Sequence, residues 1–201
     1  MNYIFLTGLV GSLVLVTGAA WPEIKDVKHP TKSLKNWLFA LGGFIMLLYA
    51  IFGYQQGGPI FFVILEILVV ISSVLMMLNT PDKVDTPILA ICSLGLIIWS
   101  LYLFEGYNTV FFILGLCGIG LGYAFEMGTL RRNTALTLGS ALIALFSYIE
   151  SSWIFFWLNV FFCIFSAYYL YKDINHQRAH RLRHTDSKRG SDGRGKTSVN
   201  K

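Results

Sequence analysis

The chain has 201 residues, 55% of them apolar and only 13% charged, with a net charge of +5. Soluble domains average about 25% charged residues, so about half of the usual solvating surface is missing. With a mean hydropathy of +0.59, a soluble globular domain is excluded.

In chain order, seven nearly charge-free stretches follow one another: 3–21, 37–54, 59–78, 86–104, 107–125, 133–150 and 152–171. Each is close to the ~20 residues a helix needs to cross a hydrocarbon core of about 30 Å. The expected fold class is therefore an all-α membrane protein with seven transmembrane helices. The first stretch ends in Gly18-Ala19-Ala20, which resembles a signal-peptidase site. No positive charge precedes it, so 3–21 is expected to remain as a helix. Trp21, Trp37, Trp99, Tyr102, Tyr107, Trp153 and Tyr171 lie near span ends, as an interfacial aromatic belt requires.

The basic residues sort by loop. Lys25, Lys28, Lys32 and Lys35 lie between the first and second spans, Lys83 between the third and fourth, and Arg131 and Arg132 between the fifth and sixth. The remaining lysines and arginines all lie from Lys172 onward. The alternate loops, around Gln55-Gln56-Gly57, Glu105-Gly106 and Glu150-Ser151, have none. The positive-inside bias then places the N-terminus outside and the C-terminus in the cytoplasm of a plasma or inner membrane, which requires an odd number of spans. The short outer connections predict antiparallel neighbours for helices 2 and 3, 4 and 5, and 6 and 7. The longer inner loop, 22–36, can cross another helix end.

Two segments look like copies of one unit. Leu41-Gly42-Gly43 matches Leu138-Gly139-Ser140 at an offset of 97, and Ile60-Phe61-Phe62 matches Ile154-Phe155-Phe156 at an offset of 94. Gly18-Ala19-Ala20 and Gly122-Tyr123-Ala124 occupy similar places at the ends of the first and fifth helices. The predicted organisation is a 3+1+3 parallel repeat of three-helix bundles: 1–80 as the first unit, 81–106 as a linker helix, 107–172 as the second unit, and 173–201 as a basic tail. Repeats separated by one helix share an orientation, and such proteins place their site near mid-membrane between the repeats. The tail is polar and basic, expected to be disordered and attracted to anionic lipid headgroups.

With this topology the chain resembles the SWEET/SemiSWEET and PQ-loop superfamily. The local likeness lies in 17–66: Trp21-Pro22-Glu23 where the family has Pro-Gln, a basic loop with Thr31-Lys32-Ser33, then Leu47-Leu48-Tyr49-Ala50, similar to an aromatic-Leu-x-Tyr-Gly pattern. The resemblance implies alternating-access transport of a small solute between two three-helix units. Sugar-carrying members have a Trp where this chain has Met46, and an Asn on the third helix of each unit. Asn159 fills that slot on helix 7, whereas helix 3 offers Glu66. The second unit has Phe125-Glu126-Met127 with no proline at the corresponding point.

Glu66 stands out because a charged residue near mid-membrane costs at least about 2.5–3.5 kcal/mol on insertion scales. Such a residue faces the bundle interior, where it binds a ligand, shares a proton or stays protonated. The expected substrate-binding residues are Glu66 paired with Asn159, with Tyr49, Phe146 and Trp157 as stacking surfaces. Without a ligand, Glu66 is expected to hydrogen-bond Ser72, Ser93 or Tyr49. Pro22 is a candidate gating hinge. Cys92, Cys117 and Cys163 lie inside spans as small fillers, and the His176, His180 and His184 series is flanked by bases that repel a cation, so no metal is expected. No Ser/His/Asp set, HExxH or phosphate loop is present, so neither catalysis nor a cofactor is expected. The partners predicted are a small solute, protons and membrane lipids, with no nucleic acid, and self-assembly into a homo-oligomer stays open. A non-transporting membrane scaffold or receptor on the same fold is the alternative.

Overall fold

A computed structural model describes residues 3–21, 33–78, 82–125 and 129–194, with side chains as far as Asn175 apart from Asp82. Pro22 and the lysines at 25, 28 and 32 lie outside the described residues, as do the side chains of the tail histidines. Among the described residues there are seven α-helices and no strand: α1 (Tyr3–Ala20), α2 (Leu34–Gln55), α3 (Phe61–Leu78), α4 (Asp82–Tyr102), α5 (Tyr107–Ala124), α6 (Leu130–Ile149) and α7 (Trp153–Arg194). All but α6 are long and apolar enough to cross a membrane. The 20-residue α6 opens on Leu130-Arg131-Arg132-Asn133-Thr134, which lowers its average hydropathy although its remaining turns are apolar. The fold is that of an all-α, multi-pass membrane protein.

Helices α2, α4 and α6 begin three or four residues before the charge-free stretches. A backbone ladder is not limited to hydrocarbon, so Lys35, Lys83, Arg131 and Arg132 stand on the first turns of helices and mark one end of the bundle, here called the basic end. The larger departure is at the C-terminus, where α7 continues to Arg194 past the expected end of the span near 171. No proline interrupts 153–194, and a helix already nucleated inside the membrane extends at one hydrogen bond per added residue without a new nucleation cost.

Two of the three turns opposite the basic end, those after α2 and α6, are built alike. After α2, Gly57 takes a left-handed φ of 90° while the N–H of Gly58 donates to the Gly53 carbonyl (3.0 Å). After α6, Ser151 takes φ 55° while the N–H of Ser152 donates to the Ser147 carbonyl (2.9 Å). Both are C-terminal caps that satisfy otherwise orphaned carbonyls and reverse the chain tightly.

Consecutive helices pack side by side, and α1 meets α7 to close the row into a ring. Interhelical hydrogen bonds fix the antiparallel sense. Asn36 Nδ2 donates from the start of α2 to the Met76 carbonyl near the end of α3, and Thr86 Oγ1 from α4 to the Ala124 carbonyl ending α5. At the start of α6, Asn133 Nδ2 donates to Asp173 Oδ2 of α7 at 2.7 Å. Helices α1 and α2 are themselves neighbours, and the loop expected to cross a helix end lies, over 22–32, outside the described residues. Mid-helix apolar side chains such as Leu13, Leu41, Ile91, Leu114, Leu138 and Ile164 are more than half exposed around the circumference, where lipid is the solvent.

The packing repeats. A Cβ on Gly42 would lie 2.8 Å from the backbone of Leu15, and one on Gly139 would lie 2.6 Å from the backbone of Ile119. Gly11 backs onto Met46 and Gly115 onto Ile143; Gly18 meets Phe39 and Gly122 meets Leu136. Every one of these pairs relates α1 to α5 by an offset of 104 and α2 to α6 by an offset of 97. The contacts between units obey the same exchange, because α1 against α7 becomes α5 against α3, and both pairs are present. Helix α4 stands outside the repeat and lies over α3 and α5.

At Gly139 the obstruction is backbone, so Gly139→Leu is expected to force α5 and α6 apart and destabilise the protein by about 1–3 kcal/mol. Gly95 of α4 has open space around it, and Gly95→Ala is expected to be neutral or stabilising by about 0.5–1 kcal/mol. Unfolding of the two variants in detergent, followed by helical circular dichroism, checks both.

Candidate functional site on the pseudo-twofold axis

Helices α3 and α7 face each other across the axis that relates the units. The rings of Phe62 and Phe155 stack there, centroids 4.2 Å apart and 4° from parallel. Two residues from different units that touch each other on the axis are equivalents, so α3 and α7 correspond at an offset of 93. This shifts by one residue the 94 expected from the Ile-Phe-Phe match. The letter match pairs Phe62 with Phe156, a ring packed against Tyr148, Trp153 and Trp157 instead. In a span rich in phenylalanine, identity of letters carries little information, and the face turned to the axis decides.

The corrected register makes Glu66 and Asn159 equivalents, each one turn beyond the stacked ring toward the basic end. Two turns further on, Ser73 and Ser166 correspond, and both are buried. Tyr49 lies 5.5 Å from Phe155, and its equivalent Phe146 lies 5.5 Å from Phe62. Phe146 also packs on Phe61 and Phe112. These rings, all buried except the half-buried Tyr49, pack together at the end away from the basic residues, one turn from Glu66 and Asn159.

The α3 carboxyl is 1% exposed, and its Oε2 has no hydrogen-bond partner among the described residues. It meets none of the neighbours expected from sequence. Asn159 Nδ2 donates instead to the Phe155 carbonyl of its own helix at 2.9 Å. Tyr49 shares a hydrogen bond with Ser152 in the α6–α7 turn, and Ser93 Oγ of α4 is itself buried without a partner. Glu66 and Asn159 therefore occupy equivalent places on the axis without bonding to each other.

Trp157 does not join them. It is 54% exposed and packs on Phe156 and Phe161 of its own helix, on the outside of the bundle. Its equivalent, Ile64, is fully buried because α4 covers that face of α3. Among the described residues no further helix covers that face of α7, and the same position there is exposed.

Two features were missed from sequence. One is the Phe62–Phe155 stack, whose only signal was a phenylalanine four residues before each of Glu66 and Asn159. The other lies at the basic end, where a cavity of about 50 Å³ is lined by Ser72, Asp85, Thr86, Tyr123 and Arg132, among others. Tyr123 in that lining is within electrostatic reach of both Glu66 and Arg132. Neither Glu66 nor Asn159 belongs to the lining of that cavity. The three cysteines are partly buried and unpaired, and no cluster of potential metal ligands is found among the described residues.

No protein-family model, curated protein or solved structure matches this chain. What the site can do follows from its geometry alone: an acceptor buried without a partner, on an axis between two like units, between an aromatic layer and a polar cavity.

Ser93→Ala removes an orphaned hydroxyl and is expected to be neutral or to stabilise by up to about 1–3 kcal/mol, whereas Tyr49→Phe, which breaks a satisfied bond, is expected to cost about 0.5–1.5 kcal/mol. Opposite shifts of the unfolding midpoint in detergent are the expected result.

Proposed function

We propose that this protein transports a small solute across the membrane by alternating access, at a site on the axis that includes Glu66 and Asn159. The observation that carries the reading is the buried, unpartnered Glu66 carboxyl placed where two equivalent units meet. A burial cost of that kind is retained where a ligand or a proton meets the group. The aromatic layer lies on one side of the site and the basic-end cavity, lined by Tyr123, on the other, an arrangement that suits an occluded state. Rocking of one unit against the other would part either barrier. Glu66 would take up a proton or a cationic group from one side and release it on the other. The distribution of lysine and arginine supports a cytoplasmic basic end, with the N-terminus outside.

In membrane vesicles containing the protein, Glu66→Gln is expected to abolish uptake of the transported solute or its dependence on pH. Uptake and pH profile unchanged from wild type would remove Glu66 from the site. A metabolite screen that finds no solute moved by the wild-type protein would favour a scaffold or receptor. For orientation, a cysteine placed at Gln56 is expected to react with an impermeant maleimide from outside intact cells, and one at Lys83 only after permeabilisation.

A further inference from the structure

Resting on the transport reading above, we propose that the solute is a planar aromatic amine, its ring held between Phe62 and Phe155 and its ammonium group on Glu66. Among the ring contacts of the described residues, Phe62–Phe155 is the one parallel stack; the others are tilted or edge-on. Its two rings belong to different units, so the movement that opens the bundle away from the basic end would part them. Parting parallel rings by about one ring thickness makes a slot with an aromatic face on either side, flanked by Tyr49 and Phe146. A flat π-system restores the contact that the opening loses.

The polar groups near the slot decide what the ring must carry. Within the aromatic layer, the Tyr49 hydroxyl is already bonded to Ser152. A hydroxyl-rich solute would find its rim unsatisfied there, which opposes its burial. One turn away, about 5.4 Å along the helices, stand Glu66 Oε2, which lacks a partner, and Asn159, whose Nδ2 is engaged by the Phe155 carbonyl. Asn159 keeps one N–H and its Oδ1, but the Glu66 carboxylate can only accept, so the solute group that faces Glu66 must donate. An amine on a short arm from the ring spans that distance. As a cation it also compensates a carboxylate that no lysine or arginine among the described residues pairs with, and it lies against ring faces that favour positive charge.

The test separates binding from flux. Isothermal titration of the purified full chain in detergent uses three probes: tryptamine, indole-3-propionate, which has the same ring and the opposite charge, and glucose. Tryptamine is expected to bind and the other two not. Phe62→Ala, Phe155→Ala and Glu66→Gln are each expected to weaken tryptamine at least 10-fold, whereas Phe62→Trp retains it within a few-fold. Phe62→Leu, which keeps the volume and loses the ring face, is expected to behave as Phe62→Ala and guards against a folding defect. No heat from tryptamine at millimolar concentration, equal binding of the two indoles, preference for glucose, or unchanged affinity in Phe62→Leu would each overturn the proposal. If tryptamine binds as expected but vesicle uptake of every solute is insensitive to Glu66→Gln, the transport reading fails and the ligand assignment stands. If uptake depends on Glu66 but tryptamine does not bind, the reverse holds.

Discussion

Apolar helices gain nothing by hiding from lipid, which is as apolar as they are, so their association depends on close backbone approach and on a few polar contacts. In this protein the close approach is supplied twice, at Gly42 against Leu15 and at Gly139 against Ile119, where a single Cβ would lie within 3 Å of the facing backbone. Each contact binds the first two helices of a unit along much of their length, with Gly11 and Gly18 in one unit and Gly115 and Gly122 in the other. The third helix of each unit is then set by a short reversed turn and by an asparagine near the basic end. From these pairings follow the two like units, and from the two units the axis.

On that axis the symmetry is broken in chemically informative ways. Phe62 and Phe155 are identical, as are Ser73 and Ser166, but the rung between the ring layer and the serines pairs a carboxyl with an amide. On the neighbouring positions Gly8 of α1 makes room for Tyr49 and Ile154, whereas its equivalent, Phe112, packs against Phe61 and Phe146. One half of the layer thus contains a hydroxyl-bearing ring joined to a turn, and the other a dry cluster of phenylalanines. The axis has aromatic side chains from both units around it but different polar groups from each.

Helix α4 adds a second asymmetry. By packing on α3 it makes that helix the most enclosed of the seven, while α7, without such a cover, exposes Trp157 and Ile164. The same absence leaves α7 free to run on beyond the bundle, which it does as far as Arg194. The carboxyl therefore stands on the covered helix and the amide on the open one. That is the arrangement in which a costly charge is best shielded.

The solvent, the helix count and the likeness of the two units were legible in the sequence. A span of about 20 apolar residues and a one-sided distribution of lysine and arginine are properties of a chain meeting a bilayer, whatever its helices later touch. The glycine matches at 18 and 122 and at 42 and 139 were legible for a related reason: close approach permits only the smallest residue, so the constraint leaves its mark on single letters. The sequence also singled out Glu66 and Asn159, because a polar group inside hydrocarbon is costly wherever it points. Only tertiary structure decided which faces meet. It set the register of α3 against α7, paired Phe62 with Phe155 rather than with Phe156, sent Trp157 outward and brought Tyr123 into the basic-end cavity. In a span where nearly every residue is apolar, periodicity does not distinguish the face toward a neighbour from the face toward lipid, and only the packed neighbours do.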